Sequence, residues 1–355
     1  MRPRLIRVIS RDNGSGLSRD LQLVAETLRS SGRYRVEVLG FGTVRLSNRL
    51  RELRLCLHSL LCGRADLQIF LERVYPRCLV SGRCNALVPN PEWFLTKWLR
   101  WLPRFKQVLC KTRQAEQRFA TMGPATAFIG FCSDDCYCPE VPRERACLHV
   151  AGRSTAKGTA LLLQAWAQHP EWPRLTVVQS AKRPHSIQAE NIDYLTGYLD
   201  QGELRRLQNA HRFHLCPSEV EGFGHYIMEA MSVGAVVITT NGAPMNELVT
   251  AERGLLVDPV GEGVDNLGVR YRIDVAGIER AVAQALALSP MQCDALGTAA
   301  RGFFELRRRE FGECLHAAVA DLLGEVLPPD PPSRSDDDLE QVRSGWVSDL
   351  DHPGS

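Results

Sequence analysis

The sequence predicts an α/β protein with two Rossmann-like, doubly wound domains that face each other across a cleft, followed by a disordered tail. Three observations favour this class: the length of 355 residues, two series of short apolar runs alternating with helical patterns, and a change of composition near residue 327. This length favours two domains over one. Strands that alternate with amphipathic helices are typical of parallel sheets covered on both faces.

The first series predicts an N-terminal domain over residues 1–140. Its expected strands are residues 5–9, 34–39, 67–71, 108–111 and 125–131. Apolar residues at helical spacing predict helices over residues 17–28 and 115–120. The polar segment 139–145 contains two prolines and fits a hinge between domains.

The second series predicts a C-terminal domain over residues 141–326. Its expected strands are residues 147–150, 175–179, 192–195, 213–216 and 236–239, and its expected helices are residues 159–168, 203–210 and 225–233. Residues 327–355 are rich in Pro and Asp, and such a segment cannot bury a core. We therefore expect a disordered tail there.

The charge is divided unevenly along the chain. The total is 43 Lys and Arg against 41 Asp and Glu, a net charge of +2. Residues 1–125 hold 23 basic and 9 acidic residues, a net charge of +14, so the remainder carries −12. Such asymmetry indicates an anionic partner for the first half. Plain arginine-rich composition explains it equally well. We expect no nucleic-acid partner.

The sequence also predicts a cytoplasmic location. No apolar run reaches the roughly 18–20 residues that a membrane span needs. The N-terminus is basic, but Arg7 interrupts its apolar stretch, which argues against a signal peptide. Twelve scattered cysteines fit free thiols in a reducing compartment. A zinc site around residues 132–138, completed by Cys147 or His149, is a much weaker alternative because paired short spacings are missing.

Residues 93–105 contain three of the six tryptophans, mixed with Lys97, Arg100 and Arg104. This composition fits an amphipathic helix at a membrane surface, which would place the protein peripherally at the inner membrane. A core helix with basic residues outward is favoured, because apolar helical faces are usually packed.

The most informative segment is residues 213–247, which reads as strand, Gly-rich turn, helix and strand. Gly222-Phe223-Gly224 lies at the end of a parallel strand and before a helix, where backbone N–H groups and the helix dipole bind phosphate. Glu221 and Glu229 bracket this turn, and their carboxylates suit sugar hydroxyls. A nucleotide-diphosphate sugar offers both kinds of group.

The motif Glu-x7-Glu, with Gly-Phe-Gly after the first Glu and Glu-Ala-Met at the second, resembles glycosyltransferase family 4. Three further segments are similar to that family: Gly152 to Gly158 with Arg153 and Lys157, Gly197-Tyr198-Leu199, and the loop that ends at Glu247. The resemblance covers residues 147–260 and implies a GT-B fold and transfer with retention of the anomeric configuration.

The resemblance implies roles for individual residues. Glu221 would face the donor sugar, and Lys157 with Arg153 would stabilise the departing diphosphate, although the short spacing of these two basic residues puts Arg153 in doubt. The implied donor-binding set is Gly14, Gly16, Tyr198, Leu199, Gly222, Phe223, Gly224, Glu229 and Glu247.

The acceptor side is the weaker part of the prediction. Gly14 and Gly16 belong to a Gly-rich loop after the first strand, but the loop is not a dinucleotide fingerprint. The usual first-domain histidine of the family has no clear match. Asn90 and Glu92 are the best polar candidates, and an ordinary Asn-Pro turn explains them more simply.

The expected function is transfer of a hexose-type sugar from a UDP- or GDP-sugar to an acceptor hydroxyl, with no metal and no cofactor. The acceptor is unidentified, and an anionic or membrane-associated acceptor fits the charge. Two alternatives stay open: a GT-B sugar-nucleotide epimerase or phosphorylase, and a non-catalytic GT-B scaffold.

Overall fold

The computed structural model describes residues 3–12, 16–182 and 184–326, which form two six-stranded parallel sheets with helices packed on them. This confirms the α/β class with two Rossmann-like halves. The expected tail, residues 327–355, and the expected donor-facing Gly14 lie outside the described residues.

The first sheet comprises β1 Arg4–Arg11, β2 Tyr34–Phe41, β3 Ala65–Leu71, β4 Gly82–Val88, β5 Gln107–Cys110 and β6 Ala125–Phe128. Its strand order is β2-β1-β3-β4-β5-β6, with all neighbours parallel. The sequence order reverses between β1 and β3, so a crevice opens at the carboxyl ends of these strands. The helices of this half are α1 Gly16–Ser30, α2 Arg45–Cys62 and α3 Arg113–Ala120, with 3₁₀ helices Pro76–Ser81, Pro91–Trp93 and Thr96–Arg104.

The second sheet comprises β7 Glu144–Gly152, β8 Leu175–Gln179, β9 Ile192–Thr196, β10 His211–Cys216, β11 Val236–Thr240 and β12 Leu255–Val257. Its order is β12-β11-β10-β7-β8-β9, again parallel, with the reversal between β7 and β10. A hairpin follows, β13 Gly261–Asp265 and β14 Gly268–Arg272. The helices are α4 Thr159–Gln168, α5 Gln201–Ala210, α6 His225–Ser232, α7 Met245–Leu248, α8 Val275–Ala287 and α9 Pro290–Leu323.

Helix α9 joins the two halves. It begins with a capping box at Ser289 and packs against α6. Just after α6, the backbone of Gly234 lies so near Gly297 that residue 297 has no room for a side chain. Further along, Phe311 and Leu315 share an apolar core with residues of α1 and the first sheet. The end of α9 therefore packs on the first half, although it follows the second half in sequence. The domain bounds of 1–140 and 141–326 remain a prediction.

The aromatic segment 93–105 forms no α-helix. It contains the end of one 3₁₀ helix and the whole of a second, and Phe94, Leu102 and Phe105 are buried in a core shared with the first sheet. Trp98 and Trp101 pack against the same core, while Lys97 and Arg100 face outward. The favoured core location is thereby borne out, whereas the segment forms 3₁₀ turns in place of the expected helix.

Helix α2, strand β4 and the β13–β14 hairpin were not expected from the sequence. Among the residues that the structure describes, no helix is both long enough and apolar enough to cross a membrane.

Candidate active site

A cleft of about 540 Å³ opens between the two halves, at the carboxyl ends of both sheets. Both strand-order reversals face it, since residues that follow β1, β3, β7 and β10 line its walls. The first wall is formed by Arg11, Leu17, Arg19, Asp20, Glu72, Arg73, Asn90, Glu92, Trp93 and Lys111. The second wall is formed by Val150, Gly152, Lys157, Leu204, Glu221, Gly222, Phe223, Gly224, His225, Tyr226 and Glu229.

The Gly222-Phe223-Gly224 turn leads from β10 into α6. Gly224 caps the helix with a φ of 103°, in the left-handed region that favours glycine. A Cβ on Gly222 would lie 2.5 Å from Glu92 Oε1, so a larger residue there would force the Glu92 side chain to shift. Phe223 is buried against Phe131, with ring centroids 5.2 Å apart. The backbone of the turn, not its aromatic ring, is therefore the group suited to a ligand.

Lys157 lies between β7 and α4, opposite the same helix end. Its Nζ is 3.1 Å from the centroid of the Tyr226 ring, a cation–π contact. Burial lowers the pKa of Lys157, and the nearby carboxylate of Glu221 works in the opposite direction. An anion bound here would supply the negative charge that this buried ammonium lacks.

Glu221 is half-buried and held from its own half of the molecule. Ser218 Oγ donates to its Oε1 at 2.6 Å and lies 2.5 Å from the Tyr226 hydroxyl. Lys157, Tyr226, Ser218 and Glu221 thus form one connected row along the second wall. Such a row fixes the carboxylate before any ligand arrives.

Glu229 is 4% exposed and has a partner on each oxygen. Gln208 Nε2 donates to Oε2 at 3.0 Å, and Arg19 of the first wall forms an ion pair with Oε1. The carboxylate therefore lies at the junction of the two walls. Sugar hydroxyls can reach its Oε1 only if Arg19 shifts.

The first wall carries a buried carboxyl, Glu92, which is 8% exposed. Its Oε2 has no hydrogen-bond partner, and Asn90 Oδ1 beside it has none either. The hairpin of the second half closes over it, with Asn266 Nδ2 donating to the Glu92 carbonyl at 2.6 Å. Burial raises the pKa of Glu92 to about 8, and the nearby carboxylate of Glu221 adds to this. Glu92 is thus a protonated carboxyl at neutral pH, able to donate a hydrogen bond into the cleft.

A buried ionic cluster connects the walls below the cleft. Asp20 of α1 accepts from Lys111 Nζ at 2.5 Å and lies 2.6 Å from His225 Nε2, while His225 Nδ1 is 2.7 Å from Ser133 Oγ. Burial alone would raise the pKa of Asp20, but Lys111 and His225 outweigh it and hold this pKa well below its usual range. His225 is also the first residue of α6, so the cluster fixes the helix end against the first half.

Several expected site residues lie away from the cleft. Arg153 is exposed and borders a smaller neighbouring pocket with Thr155 and His185. Tyr198 is 91% exposed, so it is not a core residue, and neither it nor Leu199 lines the cleft, whereas Leu204 does.

Glu247 and the glycine loop also differ from expectation. The Glu247 carboxylate accepts from the backbone N–H groups of Arg113 and Gln114 at 2.7 and 2.8 Å, where it caps α3 of the first half. Gly16 is the first residue of α1. The structure therefore brings together Lys157, Glu221, Gly222, Gly224, Glu229, Asn90 and Glu92, with Phe223 turned into the core.

Asp20, Lys111, Arg19 and His225 were missed by the sequence analysis. A signal was present for Lys111, because it ends an expected strand and carboxyl ends of parallel strands meet at one edge of a sheet. Asp20 lies on the apolar face of α1, whereas Arg19 lies on the other side of the helix, where nothing in the local pattern distinguishes it from a surface charge.

No group of three His, Cys, Asp or Glu side chains is arranged to hold a metal ion in residues 3–12, 16–182 and 184–326. His149, named with the cysteine segment, has ring nitrogens 2.7 Å from the Leu215 carbonyl and 2.9 Å from Thr159 Oγ1. The zinc alternative for residues 132–138 thus has no ligand set in this part of the chain.

Comparison with known proteins defines the class of this fold. Residues 145–267 match the family model described as Glycosyl transferases group 1. A glycosyltransferase from Rickettsia africae ESF-5 superposes with a TM-score of 0.68 at 13% identity, over 92% of this chain and 100% of that one. Sucrose-phosphate synthase from Thermosynechococcus elongatus gives 0.69 at 16% identity, over 90% and 99%.

A third structure, HepE from Anabaena, gives a TM-score of 0.68 at 15% identity, over 89% of this chain and 99% of that one. No curated protein sequence matches the chain. At these identities the structural likeness establishes the fold alone: the chain has the GT-B fold of two facing Rossmann-like halves.

Proposed function

We propose that the chain is a retaining glycosyltransferase of family 4 that moves a hexose-type sugar from a UDP- or GDP-sugar to an acceptor hydroxyl. The observation that carries this proposal is the convergence of Lys157, Glu221 and the amino end of α6 at one end of the cleft. A cation, a carboxylate and free backbone N–H groups match the diphosphate and hydroxyls of a nucleotide sugar. The Anabaena neighbour, whose structure contains UDP-glucose, supports a donor of this kind.

The donor diphosphate would lie against the Gly222–Gly224 turn and Lys157. Here the buried ammonium and the helix end stabilise negative charge as the diphosphate leaves. Arg153 is exposed at the neighbouring pocket and would reach the phosphates only if its loop closed over them. Lys157 is therefore the principal cation of the proposed reaction.

Glu229 would hold the ribose hydroxyls of the donor. Its Oε1 is paired with Arg19, so donor binding exchanges this ion pair for hydrogen bonds to the sugar. Glu221, already oriented by Ser218, would accept hydrogen bonds from the transferred sugar.

Transfer would take place on one face of the sugar. The bond between the anomeric carbon and the β-phosphate oxygen breaks, and the acceptor oxygen bonds to the same face through an oxocarbenium-like transition state. The acceptor proton passes to the departing phosphate oxygen. On this proposal charge stabilisation by the protein is the main catalytic effect, and the reaction needs no metal ion and no cofactor.

The acceptor would enter along Asn90 and Glu92. A protonated Glu92 donates a hydrogen bond, and the unpaired Asn90 Oδ1 accepts one, so together they suit a hydroxyl group. A cytoplasmic location, with peripheral association at the inner membrane surface, completes the proposal.

The test is release of nucleoside diphosphate from a panel of UDP-, GDP- and ADP-sugars, with and without candidate acceptors. We expect one donor to be consumed, and the anomeric configuration to be kept in the product. Consumption of no donor, together with no detectable donor binding by calorimetry, would refute the transferase. A released epimer or a sugar phosphate would instead identify one of the alternative GT-B activities.

A further inference from the structure

Helix α2 exposes its apolar side to solvent. Over 18 residues it carries six leucines that are each at least 50% exposed: Leu46, Leu50, Leu53, Leu57, Leu60 and Leu61. Their spacings of three and four residues place them in one stripe, since each residue turns an α-helix by about 100°. We call these six residues the leucine stripe. A continuous apolar stripe on a surface marks an interaction site.

The opposite side of α2 holds the helix on the protein by mixed contacts. Ser59 is buried there, and Glu52 and Leu55 are partly buried. Arg77 of the neighbouring 3₁₀ helix donates to Glu52 at 3.1 Å, and its carbonyl accepts from Cys56 Sγ at 3.4 Å. The more apolar face of the helix therefore points away from the core, the reverse of an ordinary surface helix.

Arginines border the leucine stripe. At about 100° per residue, Arg49 falls beside one edge of the stripe and Arg54 beside the other. Both are exposed. The single acidic residue of α2, Glu52, lies on the inner side and is paired with Arg77. The outward face thus combines an apolar centre with positive edges.

We propose that the leucine stripe docks on an anionic membrane surface. An apolar face that enters the lipid interface, flanked by arginines near the headgroup phosphates, has the chemistry of an interfacial helix. A second copy of the chain fits less well, because a twofold contact through the stripe would bring the arginines of both copies together.

Docking would place the cleft near the headgroups. The amino end of α2 follows β2, and Asn48 Nδ2 donates to the Gly42 carbonyl at 2.8 Å. Arg11, the last residue of the neighbouring strand β1, pairs with Phe41 of β2 and lines the cleft. The docking specifies the surface for the membrane association proposed above, and its significance for an acceptor rests on the proposed transferase function.

The experiment measures binding of the full chain to sedimented vesicles, without any sugar nucleotide. The vesicles contain phosphatidylcholine alone or an equimolar mixture with phosphatidylglycerol, at about 0.1 M and about 1 M salt. We expect binding to the anionic vesicles at the lower salt concentration and weak binding to the neutral ones. The double variant Leu53→Ser/Leu57→Ser should lower the partition coefficient by at least about twentyfold, because burying the exposed half of each leucine contributes roughly fivefold.

A matched control separates docking from a general loss of apolar surface. Leu306→Ser changes a leucine of α9 that is 43% exposed, and it should leave vesicle binding unchanged. Arg49→Gln and Arg54→Gln should each weaken binding to anionic vesicles by about fivefold and leave the weak binding to neutral ones unchanged. Far-UV circular dichroism of each variant checks that the fold is kept.

Three results would overturn the proposal. One is equal binding of the double variant and the unaltered chain, and another is no preference for anionic lipid. The third is a stable dimer in sedimentation experiments that the double variant dissociates, which would assign the stripe to a second copy. None of these results bears on donor turnover, which is measured without vesicles.

Discussion

The two walls of the cleft are built in different ways. The second wall takes Glu221, Gly222, Gly224, His225 and Glu229 from a single strand–turn–helix segment of the chain. The first wall takes its residues from helix α1 and from the ends of β1, β3, β4 and β5, so its members are far apart in sequence. The local segment of the second wall forms an anion site from backbone N–H groups and a helix dipole. The first wall comes from distant parts of the chain, and its charged side chains are positioned by pairing with one another.

This difference appears in the charge pairing. On the second wall, Ser218 and Gln208 hold the two carboxylates from within the same half. On the first wall, Asp20 is held by Lys111 and also by His225 of the other half. Each wall also has a contact across the cleft, Asp20 with His225 and Glu229 with Arg19, which makes this pairing the point to test.

The largest effect is expected for Asp20→Asn. This variant leaves Lys111 buried without its anion, and breaking a buried ion pair from one side costs about 3–5 kcal/mol of the free energy of unfolding. The measurement is urea unfolding near neutral pH. Because the pKa of Asp20 is lowered by folding, its contribution is present above the ordinary pKa of an aspartate and is lost as the pH falls below it.

The control for Asp20→Asn is Asp294→Asn. Asp294 forms an exposed ion pair with Arg212 on the surface, and such pairs contribute about 0–1 kcal/mol. Equal stabilities of the two variants would mean that the cluster does not hold the first wall, and the inferred role of pairing across the cleft would have to be abandoned.

Lys157→Ala tests the second wall and should change function more than stability. Removing one preorganised charge from the diphosphate site should lower kcat by about 10²–10³-fold and weaken donor binding. The free energy of unfolding should stay the same or rise, because the burial that lowers the pKa of Lys157 also opposes its charged form. Calorimetry with the donor and urea unfolding measure the two effects separately.

Lys182→Met, at an exposed lysine outside the cleft, is the control for this variant and should change neither quantity. Donor affinity that survives Lys157→Ala would move the diphosphate away from the α6 end. Lys157 and its neighbours on the second wall would then stabilise the fold, as we infer for the charged cluster of the first wall, and would not bind the diphosphate.

The sequence made the second wall predictable because its chemistry is local. Gly222, Gly224 and Glu229 lie within eight residues of Glu221, so spacing alone reports their geometry. Lys157 was predictable from the strand before it and the helix after it. The positions of Tyr198 and Glu247 were not predictable. Tyr198 is in an exposed loop and Glu247 caps α3 of the first half, and both features depend on how distant parts of the chain pack.

Most residues of the first wall could not be predicted, because their proximity also depends on packing between distant parts of the chain. Asp20 and Lys111 meet only after β1 and β5 have joined one sheet, and no periodicity records that meeting. Glu92 was located by its polar neighbourhood, but its burial depends on the hairpin that covers it. Helix α2 was not predicted, and which of its faces is covered depends on the 3₁₀ helix beside it.

The smallest effect is expected for Glu92→Gln and concerns pH. The folded carboxyl has a pKa of about 8, above its ordinary value of 4.5, since it is buried among Glu221 and Glu72 with Lys111 as the nearby cation. Below about pH 4.5 it is protonated in both states and costs nothing. As the pH rises towards 8 the unfolded chain ionises while the folded chain does not, so stability is lost.

Glutamine keeps the shape of this side chain and cannot ionise. Glu92→Gln should therefore gain stability relative to the unaltered chain between about pH 5 and pH 8, on the order of 2–4 kcal/mol. Urea unfolding across this range measures the gain, and Glu26→Gln, at an exposed glutamate of α1, should show none. If the difference in the free energy of unfolding between the two proteins does not vary with pH, folding does not raise the pKa of Glu92. The carboxyl would then have a partner in solution. The first wall would then be held like the second, by contacts within its own half.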